Sequence, residues 1–174
     1  MEKQIIKEVQ ESFESFLNTI SSFSEEEINR IPFEGSWTGA QLTSHLTKSH
    51  GGGLFLLQGE TKASDRDPMQ YAERIRGHFL DFTVKFNAPD RVKPETKEYE
   101  KKELTQSFKE ITSRIVDVAE NMDLSRICMA FLFQPYGYLS GMEVLTFINV
   151  HTRRHHRQLE NIFRIIKGQV QQIS

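Results

Sequence analysis

Hydrophobic residues recur every three or four positions along four long stretches of the chain. The first stretch covers residues 3–20, and its period predicts a helix with one buried face. A second begins at Thr38, a third spans residues 98–121, and a fourth runs from Ser140 to about Lys167. Almost no segment shows the two-residue alternation of a strand. The pattern predicts an all-α protein, a four-helix bundle with long connections and additional short helices.

Three helix starts carry a capping box, in which Ser or Thr is followed three residues later by Glu or Gln. The pairs are Ser24 with Glu27, Thr38 with Gln41, and Ser140 with Glu143. The first pair predicts a short helix that ends before Pro32, because the residue before a proline disfavours helix. Between residues 61 and 94 the pattern weakens, and one or two short helices are expected there.

Three consecutive glycines, residues 51–53, interrupt the second helical stretch. Each costs roughly 1 kcal/mol of helix stability relative to alanine. They fit either a close helix crossing or kink, or room for a ligand beside the bundle. We prefer the crossing or kink.

Length and composition indicate one globular domain over residues 1–174. Apolar residues make up 37% of the chain and charged residues 26%, which is typical of a globular protein. The net charge of -2 argues against a nucleic-acid partner. No apolar run approaches the roughly 20 residues that span a bilayer, and the first residues lack the features of a secretory signal. We therefore expect no membrane association and a cytoplasmic location.

The chain has one cysteine, Cys128, so it cannot form an internal disulfide. Cys128 lies in an apolar connection, and we interpret it as a small buried hydrophobic residue rather than a nucleophile. Glu34, Glu143 and Asp81 are available as bases, but carboxylates near helix starts usually act as caps or surface groups. The sequence therefore identifies no catalytic base.

Residues 151–160 read HTRRHHRQLE and combine three histidines with three arginines. His151 and His155 continue the apolar series of the last helix, which steps by three and four residues. The arginines point elsewhere, mostly toward water. Two histidines, one helical turn apart, are therefore expected to face the core.

A buried imidazole needs a partner, because an unsatisfied polar group costs roughly 1–3 kcal/mol. Carbonyl or carboxylate groups could satisfy the pair, or both could converge on a divalent cation, which imidazole suits. His45 also lies on an apolar helix face, and facing helices of a bundle build metal sites from inward groups. The candidate ligands are His45, His151 and His155. Three ligands leave a coordination position open, which is typical of a reactive site.

The remaining histidines are weaker candidates. His50 is rotated away from the ligand face of its helix, and His156 points about 100° from the residue before it. His78 lies in the weakly patterned region. Gln158, seven residues after the first histidine of the motif, is back on the ligand side and either hydrogen-bonds near the site or lies at the edge of the core.

Three stretches of the sequence resemble the DinB-like metal-binding family, which includes bacillithiol S-transferase-type proteins. They are IPFEGSWTGAQLTSHL, HFLDFTVKF and GMEVLTFINVHTRRHHRQLENI. The most specific elements are Trp-Thr followed seven residues later by histidine, and the final His-x3-His-x2-Gln. The resemblance covers most of the chain and implies a four-helix bundle, often dimeric, with a divalent metal held by His45, His151 and His155. Trp37, Ser49 and Gln158 are then expected beside the ligands or in the pocket.

The expected function is a metal-dependent enzyme, with transfer of a low-molecular-weight thiol to small electrophiles as the reaction that the resemblance favours. A metal-dependent hydrolase and a non-catalytic metal-binding stress-response module are the alternatives. Zinc or nickel is the favoured ion, with iron or manganese as further candidates. The expected partners are a small-molecule substrate and a second copy of the chain in a homodimer, without nucleic acid.

Overall fold

The computed structural model describes residues 1–168 and is built almost entirely from helices. The helices are α1 (Glu2–Ser22), α2 (Glu25–Asn29), α3 (Gly39–Gln58), α4 (Ala72–Leu80), α5 (Lys101–Asn121) and α6 (Gly141–Ile166). A turn of 3₁₀ helix covers Asp90–Val92, and two short strands are β1 (Thr61–Lys62) and β2 (Ile127–Cys128). The bounds of the long helices agree with the predicted ones to within a few residues.

The four long helices form a ring in which each one contacts two others. Both α1 and α3 pack against α5 and α6. The short helix α4 packs on α6, and the 3₁₀ turn packs on α3. The all-α fold and the four-helix bundle with additional short helices are therefore confirmed. The antiparallel pair β1–β2 was not predicted, because strands of two residues are too short to show an alternating pattern.

All three predicted capping boxes are present. In each, the Ser or Thr hydroxyl accepts the backbone N–H of the residue three positions later, and that residue's side chain accepts the N–H of the cap. Two donors at each helix start are thereby satisfied locally. The starts of α2, α3 and α6 thus follow from adjacent residues alone.

Aromatic side chains fill the interior between α1 and α5. The Phe16 ring stacks on Phe108 with centroids 5.0 Å apart, and Phe13 meets Phe108 edge-on at 6.1 Å. All three are buried. No helix among residues 1–168 is both long and apolar enough to cross a bilayer.

The glycine triplet marks a close approach of α3 to α6. A Cβ added at Gly53 would lie 2.8 Å from the Ile148 Cδ1 atom, whereas Gly51 and Gly52 have nothing within 4 Å. The close-crossing interpretation therefore holds at Gly53, where an added Cβ would force the Ile148 side chain to move. This approach brings together the two helices that carry the candidate ligands.

Candidate metal centre

Three histidines from α3 and α6 converge on one point. Ligand nitrogens of His45, His151 and His155 all lie within 4.8 Å of one another. The Nε2 atoms of His151 and His155 are 3.0 Å apart, and the centroid of the His45 ring lies 5.6 Å and 4.9 Å from the centroids of those two rings. His45 and His151 are buried, and His155 is half-buried. The packing of α3 on α6 thus completes a cluster of which the sequence of α6 supplies two members.

Hydrogen bonds at the outer nitrogens fix the tautomers of two rings. His45 Nδ1 lies 2.9 Å from the Val92 carbonyl oxygen, and His155 Nδ1 lies 3.0 Å from Gln158 Oε1. Both partners are acceptors, so we assign the single proton of each neutral ring to Nδ1. Each ring then presents an unprotonated Nε2 to the cluster. This arrangement is typical of metal-ligating histidines, whose second nitrogen donates to an oxygen that orients the ring.

His151 has no tautomer that satisfies both of its nitrogens. Its buried Nδ1 has no hydrogen-bond partner. With the proton on Nε2, the Nδ1 lone pair is left without a donor; with the proton on Nδ1, two Nε2 lone pairs face each other across 3.0 Å. A cation bound by all three Nε2 atoms would replace that repulsion between lone pairs by attraction of each lone pair to the ion. The residues present therefore fit a divalent ion.

Burial keeps the three imidazoles neutral. Desolvation lowers the pKa of His45, against an opposing hydrogen bond to the Val92 carbonyl, and lowers the pKa of His155 to about 3. The pKa of His151 falls well below its usual range, first through burial and then through the neighbouring histidines. Neutral imidazole is the form that binds metal, so the cluster has the correct protonation state at neutral pH.

In the part of the chain that the structure describes, no fourth protein ligand closes the cluster. Among residues 1–168, no further His, Cys, Asp or Glu belongs to the group. Cys128 is buried in β2, and burial raises the pKa of its thiol to about 11. None of Glu34, Glu143 and Asp81 lines the cleft beside the histidines. A three-histidine site without a further ligand leaves a position open to a substrate.

An open cleft of about 1510 Å³ leads to the three histidines. Trp37, Ser49 and Gln158, which the sequence placed beside the site, all line this cleft. The Trp37 ring lies 5.1 Å from the His45 ring, and Gln158 accepts the hydrogen bond of His155 described above. Trp37 and Gln158 therefore touch the ligand set directly, while Ser49 contributes to the wall.

Sequence reasoning missed an aromatic wall that touches the cluster. The Phe147 ring stacks on His151 at a centroid distance of 5.1 Å, Phe79 meets Phe147 edge-on at the same distance, and Phe86 stacks on Phe79 at 5.3 Å. Two of these residues belong to HFLDFTVKF, residues 78–86, where the periodic pattern fails. The high proportion of phenylalanine in that short segment was the sequence feature that could have indicated an aromatic wall.

The other histidines lie outside the cluster. His50 is buried, with its Nε2 3.0 Å from Thr152 Oγ1, and His156 Nε2 lies 2.9 Å from Thr19 Oγ1. His78 is exposed. Two of the three thus have hydroxyl partners of their own within the bundle.

Arg154 differs from the expectation that the arginines of the motif point to water. It is half-buried, and its guanidinium donates to the carbonyls of Phe79, Asp81 and Val84. The other two arginines of the motif are exposed, as expected. Arg154 therefore fastens the end of α4 and the segment after it to α6, and so positions Phe79 and Phe86 of the aromatic wall.

The stability of the metal-free protein is expected to fall as the pH is lowered from 6.5 to 5. Burial lowers the pKa of His50 to about 3, whereas in the unfolded chain it titrates near 6.5. Below pH 6.5 the unfolded state therefore binds more protons than the folded state, and each such histidine removes up to about 1.4 kcal/mol per pH unit. Urea titrations of chelator-treated protein at several pH values measure this slope.

The matched variant for this experiment is His50→Gln, which removes one buried titrating group. We expect it to flatten the slope between pH 6.5 and 5 without abolishing it, because His151 and His155 are also buried neutral. A free energy of unfolding that does not change over this interval in the parent protein would contradict the prediction.

Comparison with known families matches the DinB superfamily over residues 7–159. This range contains all three histidines of the cluster as well as Trp37 and Gln158. Comparison with curated proteins and with solved structures gave no match.

Proposed function

This chain belongs to the DinB superfamily, and we propose that it is a metal-dependent enzyme whose divalent ion is held by His45, His151 and His155. The observation that carries the proposal is the convergence of three neutral imidazoles, two of them oriented through Nδ1 by an oxygen acceptor. Zinc or nickel is the favoured ion because both suit imidazole, with iron or manganese as alternatives.

The protein itself orients the imidazole rings, removes them from water, and leaves the cluster accessible from the cleft. The Val92 carbonyl and the Gln158 side chain hold two rings in place, and burial keeps the lone pairs free of protons. The open side of the cluster faces the cleft, so a small molecule can approach it. A divalent ion supplies Lewis acidity, which makes a thiol or a water nucleophilic near neutral pH.

The reaction that we favour is transfer of a low-molecular-weight thiol to a small electrophile. The sulfur lone pair forms the new bond to the electrophilic carbon, the leaving group departs with its bonding electrons, and the thiol proton passes to solvent. No Asp or Glu among the described residues lines the cleft, so a protein carboxylate does not assist. This favours a thiol, whose ordinary pKa is about 8.5, over water at about 15.7.

Hydrolysis and a non-catalytic role in metal binding during stress are the alternative functions. The hydrolase would use water in place of the thiol at the same open position. The non-catalytic module would use the ion to stabilise the α3–α6 contact. The homodimer implied by the family resemblance stays a prediction.

Turnover after metal reconstitution tests the proposal. Protein purified without a polyhistidine tag is stripped of metal, reloaded with zinc or nickel, and given a panel of low-molecular-weight thiols with monochlorobimane as the electrophile. We expect conjugation above the uncatalysed rate, with loss of the excess rate on chelation. Hydrolysis of p-nitrophenyl acetate without conjugation would favour the hydrolase. Metal uptake that raises the melting temperature without either reaction would favour the module.

A further inference from the structure

The cleft that leads to the histidines carries charge of one sign. Six of its described lining residues are Lys or Arg and none is Asp or Glu, although the whole chain has 22 basic and 24 acidic residues. The six are Lys85, Arg91, Lys93, Arg154, Arg157 and Arg164. A concave surface lined by one sign of charge concentrates ligands of the opposite sign. An ion held by neutral imidazoles would add to this positive potential.

Two of the six cations are already engaged within the protein. The Arg154 guanidinium donates to three backbone carbonyls, and Lys93 Nζ lies 2.6 Å from Asp90 Oδ1. Their charge contributes to the potential of the cleft. Their donors are not free for a ligand.

Arg91 and Arg157 retain donors for a ligand. Within residues 1–168, neither side chain forms a hydrogen bond or an ion pair. Each guanidinium rests over an aromatic ring, with its carbon 4.8 Å from the Phe131 centroid for Arg91 and 4.2 Å from the Phe82 centroid for Arg157. Stacking holds each guanidinium in the cleft and leaves its N–H groups unpaired.

These arginines adjoin residues that build the metal centre. Arg91 precedes Val92, whose carbonyl orients His45, and Arg157 follows His155 by two residues on α6. A negatively charged group bound by either arginine would therefore hold the rest of a small molecule within the same cleft as the histidines.

The rest of the cleft is aromatic and partly open to solvent. Nine of the described lining residues are Phe or Trp. At the surface, Phe55 is 62% exposed, Phe33 43% and Phe86 41%. Exposed apolar residues gathered in a concave surface and bordered by polar groups mark a binding site.

We propose that this cleft binds an anionic amphiphile, a small molecule whose anionic head group is attracted by the unpaired guanidinium groups of Arg91 and Arg157 and whose aromatic or long aliphatic body packs against the phenylalanines. Guanidinium groups recognise carboxylate and phosphate by paired hydrogen bonds, and the aromatic wall binds the apolar body. The inference rests on the proposed function in that it names the class of its substrate. Its test measures binding and needs no turnover.

Fluorescence of Trp37 reports binding directly, because it is the single tryptophan of the chain and lines the cleft. The probes are 6-phenylhexanoate, 6-phenylhexan-1-ol and 6-phenylhexylamine, which share one apolar body and differ in charge. Hexanoate is the matched anion without a ring. We expect 6-phenylhexanoate to bind at least about tenfold more tightly than each of the other three, since both charge and apolar contact contribute. Its affinity should fall as the salt concentration rises.

Two substitutions locate the head group. Arg91→Gln and Arg157→Gln remove the charge and keep most of the side-chain length, and each should weaken 6-phenylhexanoate binding roughly three- to tenfold. The alcohol should bind both variants as it binds the parent. The matched control is Arg153→Gln, because Arg153 is exposed on α6 and does not line the cleft. It should leave binding of all probes unchanged.

Equal affinity for the acid and the alcohol, or arginine variants that behave like the parent, would overturn the inference. A dimer in sedimentation experiments whose Trp37 signal no probe changes would also overturn it, because a second copy of the chain would then occupy the cleft. Each titration is repeated on chelated protein. Loss of the proposed metal function would leave the acid-over-alcohol preference in place, so the two proposals fail separately.

Discussion

Replacement of His151 by alanine is expected to reduce the metal content from about one ion per chain to near zero after equilibrium dialysis. The side chain is buried, and its Nε2 lies 3.0 Å from the Nε2 of His155. Two remaining imidazoles cannot hold a divalent ion as three do. Loss of an orienting partner alone typically lowers metal affinity about 10- to 100-fold, so loss of a ligand should exceed 100-fold. Elemental analysis of untagged protein measures the content.

Two further substitutions should give intermediate and unchanged metal affinities, for comparison with His151→Ala. Gln158→Ala removes the acceptor of the His155 Nδ1 proton but no ligand, and should lower affinity about 10- to 100-fold. His156→Ala should retain the metal, because that ring bonds to Thr19 Oγ1 and lies outside the cluster. Circular dichroism establishes that each variant is folded. Equal metal content in folded His151→Ala and His156→Ala would refute the assignment of the ligands.

The second large effect is expected from Glu143→Ala, which should lower the free energy of unfolding by about 3–5 kcal/mol. Glu143 is fully buried at the start of α6. Its two oxygens accept hydrogen bonds from the Arg66 guanidinium at 2.8 and 2.7 Å. They also accept hydrogen bonds from the backbone N–H of Tyr71 at 2.7 Å and from that of Ser140 at 2.9 Å. The alanine would leave the Arg66 charge, which is itself only partly exposed, without its carboxylate.

Urea titration at pH 7 measures the loss, because urea leaves ion pairs unscreened. Glu14→Ala is the control, since Glu14 is an exposed residue of α1, and it should change stability by less than about 0.5 kcal/mol. Glu143→Gln should fall between the two, as the amide oxygen still accepts one hydrogen bond without the charge. A Glu143→Ala variant as stable as the control would show that Arg66 finds another partner.

Glu143 also shows where sequence reasoning stops. The capping box with Ser140 was predictable, because both partners belong to one helical turn. Its pairing with Arg66, in the connection between α3 and α4, was not, because the two residues are 77 positions apart and the connection has no regular period. A residue expected to be a cap or a surface group is therefore a cap and also a buried anchor for that connection.

The sequence by itself determined the four long helices, their capped starts and the faces on which His45, His151 and His155 lie. These features depend on the helical period and on contacts within one or two turns, which adjacent residues specify. The family resemblance agreed with that assignment, and the match to the DinB superfamily covers the same segments.

Only the tertiary structure decided how the site is completed. The Val92 carbonyl that orients His45, the aromatic wall that joins Phe79 and Phe86 to α6, and the gathering of basic residues around the cleft all depend on connections or on contacts between distant segments. Such contacts depend on the path of irregular backbone, which no periodic pattern encodes. The physical reason is that helical phase decides which way a side chain points, whereas packing between elements decides what it meets.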